Sequence, residues 1–95
     1  MNEHMGHVAE LLKISLSMAV PLVIEQLRAV REEDRLAMAQ NAAQYIAEHG
    51  DDLVFKFKTK GKTGKAFGEL ATGLAAAAFQ PGGVKFLGLH FEVLR

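Results

Sequence analysis

The sequence predicts an α+β fold, and three observations predict it. Apolar residues recur at helical spacing through residues 8–31 and again to about residue 49. A period-two alternation takes over at 51–60. "QPGG" at 80–83 then separates a third helical stretch from a last apolar run. The expected order is helix, helix, strand, helix, strand, within a single domain of 95 residues: a helical half (1–50) and a strand–helix–strand half (51–95).

The first helix rests on Val8, Leu11, Leu12, Leu16, Val20, Val23 and Leu27, which form one apolar stripe. Ile14, Met18, Leu22 and Ile24 widen that stripe until the segment is apolar nearly all round. Such a helix needs burial on several sides, in a core or against a second subunit. Pro21 lacks an amide donor and is expected to kink or restart it. "REEDR" (31–35) marks a boundary, with Glu32, Glu33 and Asp34 where a helix N-terminus favours acids. The second helix carries Leu36, Ala39, Ala43, Ile46 and Ala47 inward. Gly50, with His49 in the last turn, reads as its stop.

In "DDLVFKFKTK" (51–60), Leu53, Phe55 and Phe57 alternate with Val54, Lys56 and Lys58, the pattern of a strand with one buried and one lysine-studded face. The third helix, about 64–79, turns Phe67, Leu70, Ala71, Leu74 and Ala77 inward. Its glycines and alanines keep it thin enough for another backbone to approach. Residues 84–94 read as a second strand, parallel to the first through a right-handed crossover if the two are neighbours. A two-stranded sheet is marginal alone, so dimerisation is expected to complete or cover it.

Half the residues are hydrophobic (49%) and 23% are charged, a globular composition. The absence of cysteine excludes disulfides, thiolate metal sites and cysteine nucleophiles, and fits a cytoplasmic location. The uncharged run "ISLSMAVPLVI" (14–24) has eleven residues, short of the roughly 20 a bilayer span takes, and no signal-peptide pattern precedes it. The zero net charge conceals a division. Residues 1–52 hold nine acids against four bases, and residues 53–95 hold seven bases against two acids, −5 facing +5. That division fits a polarised surface or two halves that attract each other.

The stretch "KFKTKGKTGKAFG" (56–68) is the main candidate site. It ends a phosphate-loop pattern at Gly61-Lys62-Thr63, but Lys56 stands where the first glycine must be, so nucleotide hydrolysis is not expected. As an anion-binding turn it makes better sense. Lysines at a helix N-terminus cost roughly 0.3–1 kcal/mol each unless an anion is bound, and Gly61 and Gly64 let the backbone close around one. Lys56, Lys58, Lys60, Gly61, Lys62, Gly64 and Lys65 are thus the expected partner- or anion-contacting residues. The alternatives are a solvated loop or a nucleic-acid grip. Nucleic acid is disfavoured because the patch has no arginine and the chain no net positive charge.

Other candidates carry less. His4 and His7 share a helix face but lack a third metal ligand. His90 and Glu92 fall on the same face of a strand, where a carboxylate orients an imidazole. Ser15 and Ser17 lie in the first helix, expected to be buried, so no nucleophile is placed to be activated. No catalytic residues, metal or cofactor are expected.

The C-terminal half resembles a family of small bacterial and mobile-element proteins with no assigned activity. Pro81, Gly82, Gly83, Val84, Gly88, His90 and Phe91 carry the resemblance, which covers residues 50–93. It implies a bacterial or phage accessory protein and brings no catalytic residue with it. The expected function is a non-catalytic, homodimeric interaction module whose lysine turn contacts an acidic partner, one version being an inhibitor of a host defence complex such as an anti-CRISPR. The alternative is a nucleic-acid-binding accessory or regulatory protein that uses the same turn.

Overall fold

The computed structural model describes residues 3–61 and 64–94, with side chains from residue 6 onward. It is mostly helical: α1 (Glu3–Leu27), α2 (Glu32–Lys60) and α3 (Lys65–Ala77) precede a small antiparallel sheet of β1 (Val84–Phe86) and β2 (Leu89–Phe91). An α+β description is compatible with this, but the arrangement differs from the expected one.

Helix α3 is the centre of the molecule. Leu70, Leu74, Ala75, Ala77 and Ala78 are fully buried, because α3 packs along both α1 and α2 while those two scarcely meet. Small side chains on α3 permit the close approach: a Cβ on Gly73 would stand 3.1 Å from Ile46 Cδ1. Leu12, Leu16 and Val20 of α1 close the core from one side, and Ile46, Leu53 and Phe57 of α2 from the other.

Residues 51–60 are the C-terminal third of α2 and not a strand. The line Ile46, Gly50, Leu53, Phe57 is buried at helical spacing, while Phe55, inward on a strand, is 67% exposed. Gly50 does not end the helix. It lies mid-helix because Phe86 of β1 packs on it, and a Cβ there would meet Phe86 Cε1 at 2.8 Å. The glycine serves the approach of a ring rather than a turn of the chain.

Part of the two-signed charge division lies along α2. Glu32, Glu33 and Asp34 occupy its first turn and Lys58 and Lys60 its last, each sign at the helix end whose partial charge it complements.

Helix α1 runs through Pro21 without interruption. The carbonyl that the proline leaves without a partner belongs to Ser17, and both residues are exposed. No basic residue lies in the last turn of α1. Arg35 of α2 supplies the charge instead, donating from Nη1 to Val30 O and, at 3.2 Å, to Arg28 O. Its guanidinium also stacks 5.1 Å above the centre of the Phe79 ring. One side chain therefore ties the end of α1, the start of α2 and the exit of α3.

The last apolar run is a hairpin, not one strand. Val84 pairs with Phe91, Lys85 with His90 and Phe86 with Leu89, so the strands are antiparallel and the parallel crossover does not arise. The two-residue turn Leu87–Gly88 has φ of +51° and +79°, the positive pair that matches hairpin twist. Gly88 is suited to that conformation and Leu87 is not.

Candidate functional site

The lysine stretch divides between two helix ends. Lys56, Lys58 and Lys60 are exposed on the last turns of α2, and Gly61 caps that helix at φ +76°, its amide donating to Phe57 O at 2.7 Å. The Gly64 amide donates to Gly61 O at 3.1 Å, and Gly64 is the N-cap of α3, with Lys65 exposed at its first position. Lys62 lies outside the described residues.

This placement corrects the electrostatic account. Lys58 and Lys60 sit at a helix C-terminus, where cations are favourable by roughly 0.3–1 kcal/mol, and not in a loop before a helix N-terminus. Among the described lysines only Lys65 stands in the first turn of α3, which has no acid there and no side-chain cap.

Nor do the ammonium groups converge. At about 100° per residue, Lys56 and Lys60 share one side of α2 while Lys58 points away from both. Lys58 lines a cleft of about 300 Å³ with Val8, Leu11 and Ser15 of α1. Lys65 overhangs a shallow groove of about 830 Å³ between α2 and α3, beside Tyr45, Glu69 and Thr72. The stretch is a set of dispersed cations.

His90 has a task within the fold. Its Nε2 lies 2.9 Å from Gly82 O and 3.9 Å from Glu92 Oε1, so the imidazole bridges the hairpin to the turn before it. That turn is also held by Gln80 Nε2 donating to Gly83 O (2.7 Å) and by the Gly83 amide donating to Gln80 O (2.9 Å). Gly82 and Gly83 have φ of +83° and +71°, and a Cβ on Gly83 would collide with Phe91 O. Every residue type that carried the C-terminal resemblance, from Pro81 to Phe91, thus falls in this turn and hairpin, and its glycines meet steric demands of the backbone.

The remaining candidates stay apart. Ser15 is half-buried and Ser17 is exposed, against the expectation that α1 buries both. His7 is exposed on the first turns of α1, and the side chain of His4 lies outside the described residues. Among the described residues no three histidines or carboxylates gather as metal ligands.

A different surface stands out. Leu11, Ile14, Met18 and Leu22 of α1 are 46%, 56%, 70% and 68% exposed. They follow one another at steps of three, four and four, and so form a continuous stripe. That stripe lies about 150° around the helix from the buried line Leu12, Leu16, Val20. By length and composition alone, Gly6–Leu27 is also apolar enough to cross a membrane, with a mean hydropathy of 1.6. The all-round apolarity was visible in the sequence, but which half faces outward was not, since both halves repeat at the same period. Comparison of the chain with protein-family models, with curated proteins and with solved structures finds no match.

Proposed function

We propose that the protein is a small, non-catalytic cytoplasmic module of the bacterial or phage accessory kind that acts by protein–protein contact. The observation that carries this reading is the outer face of α1. Four large apolar side chains in an unbroken row, exposed to water on a folded domain, mark a contact surface rather than a random scatter of apolar residues. The lysines at the end of α2 and start of α3 provide a second, polar contact for an acidic partner. Their dispersal supports a protein surface over a nucleic-acid backbone, which a continuous track of cations follows. The imidazole of His90 is engaged with Gly82 O and Glu92 and belongs to the hairpin.

Affinity capture from bacterial lysate, with and without nuclease, tests the partner class. A protein retained after nuclease, and lost from a Lys56→Gln/Lys60→Gln bait, supports the acidic-partner contact. Capture that disappears with nuclease transfers the lysine turn to nucleic acid, and then binding loses about one unit of salt slope per phosphate contact removed.

A further inference from the structure

We infer that the outer face of α1 pairs with the same face of a second copy, antiparallel, across a two-fold axis near Leu16 and Ser17. This rests on the reading of that face as a contact surface and names its occupant.

The first argument is length. From Leu11 to Leu22 the exposed stripe runs about 17 Å at 1.5 Å per residue. Although Gly6–Leu27 as a whole is long and apolar enough for a membrane, its outer face is therefore apolar over only about half of a bilayer's roughly 30 Å core. Continued along the helix, the same line meets exposed His7 at one end and exposed Glu25 at the other. The apolar segment is thus closed by polar groups about equally far from its middle.

The second argument is symmetry. A two-fold interface must be complementary to itself, so each residue faces another of the same patch. Antiparallel pairing about position 16 sets Ile14 against Met18 of the second copy and Leu11 beside Leu22 of the second copy. It also brings His7 alongside Glu25 of the second copy, once at each end. Parallel pairing would instead set His7 beside His7 and the Glu25–Arg28 ion pair beside its own copy, without that complementary contact at the ends.

Charge also separates a second copy from a lipid surface. Helices that lie on membranes border their apolar face with lysine and arginine. Here the residues bordering or closing the stripe form the ion pairs Glu10–Lys13 (3.3 Å) and Glu25–Arg28 (3.1 Å), so the border offers no excess of positive charge to anionic headgroups. Four side chains from each copy make a small interface, at the low end of the range for specific association, which suits a concentration-dependent dimer.

Because the chain has no cysteine, single cysteines report the geometry directly. Sedimentation equilibrium from about 1 to 100 µM is expected to show a monomer–dimer equilibrium in the wild type, weakened at least about tenfold by Met18→Glu with the circular dichroism spectrum preserved. Mild oxidation of mixed His7→Cys and Glu25→Cys chains is expected to link the two species to each other. Neither alone should link to itself, since the two copies of residue 7 would lie about 27 Å apart. A wild type that is monomeric at 100 µM overturns the inference, as does self-linking of His7→Cys or co-sedimentation of a monomer with lipid vesicles. If the wild type is monomeric but Met18→Glu still loses the captured lysate partner, the contact face stands and only its occupant is wrong. If Met18→Glu leaves both dimer and capture untouched, the face itself is wrong.

Discussion

Between Ala78 and Val93 the chain is tied to itself every few residues. Val93 N–H donates to Ala78 O, Gln80 reaches Gly83 O, and His90 reaches Gly82 O. Along the outer face of α1, over a similar length of sequence, Leu11, Ile14, Met18 and Leu22 stand out toward water. The first region has the more distinctive sequence, with its glycines, proline and histidine. The second is a plain apolar helix. The difference teaches that distinctive residues can be explained completely by backbone geometry, whereas an ordinary leucine or methionine becomes informative once it is exposed. If this contrast is correct, changes in the C-terminal region act on stability, and changes on the outer face of α1 act on association.

The largest effect is expected at Gly83. Gly83→Ala places a Cβ against Phe91 O at φ +71°, a clash with backbone that no side-chain rotation relieves. A loss of about 4 kcal/mol is expected, from steric collision added to the left-handed penalty. The melting temperature should drop by on the order of 20 °C. A drop of only a few degrees would show that the turn is looser than its hydrogen bonds suggest.

The two faces of α1 offer a sharper test within one helix. Leu16→Ala removes a fully buried side chain and should cost about 3 kcal/mol. Met18→Ala, two residues on, should change the stability of the dilute monomer by less than about 0.5 kcal/mol. Urea denaturation of both variants at sub-micromolar concentration checks this. Equal costs would mean that Met18 is covered in the monomer, and the contrast between faces would collapse.

His90 comes next. His90→Ala should cost about 1 kcal/mol through the lost bond to Gly82 O, measured by urea denaturation. His90→Gln should keep any partner affinity within a few-fold in a binding titration. A fold that persists while binding vanishes would make the hairpin a site after all.

Leu87 sharpens the same region from the opposite direction. At φ +51° it is the one non-glycine residue with positive φ among those described. Leu87→Asn should stabilise by about 0.5 kcal/mol, because asparagine tolerates that conformation and suits the turn beside Gly88. Thermal melting reads the sign. A destabilised variant would show that the packing of this half-covered leucine outweighs its strain.

How the sequence misled is itself physical. Helices α1 and α3 were legible because their apolar spacing fits only one period. Residues 51–60 fit two: Leu53, Phe55 and Phe57 alternate as in a strand, yet Leu53 and Phe57 also continue the line from Ile46. What decides between them is Gly50, whose role depends on Phe86, thirty-six residues later in the chain. No local pattern contains that contact. The hairpin was missed for a related reason. Gly88 signals a turn, but Leu87 beside it carries no turn preference, so an apolar run hid the reversal. Arg35 could not be found either, because its partners Val30 and Phe79 come together only through the packing of all three helices. The lysine turn was legible as a cluster but not as two oppositely polarised helix ends.

That last division yields the smallest and most discriminating effect. Lys60 at the C-terminus of α2 interacts favourably with the helix dipole, so Lys60→Gln should cost about 0.3–1 kcal/mol and leave the response to phosphate unchanged. Lys65 faces the opposite polarity at the uncapped start of α3. There a bound anion offsets the repulsion, so phosphate should raise the melting temperature slightly more than chloride at matched ionic strength, by about 1–2 °C. Sulfate and phosphate also stabilise proteins generally by exclusion from their surfaces, so the informative quantity is the difference between variants. Lys62→Gln/Lys65→Gln should lose the anion-specific increment and keep the general one. If wild type, Lys60→Gln and the double variant respond alike, the lysines are solvated cations at two helix ends, and the outer face of α1 is left as the sole contact surface.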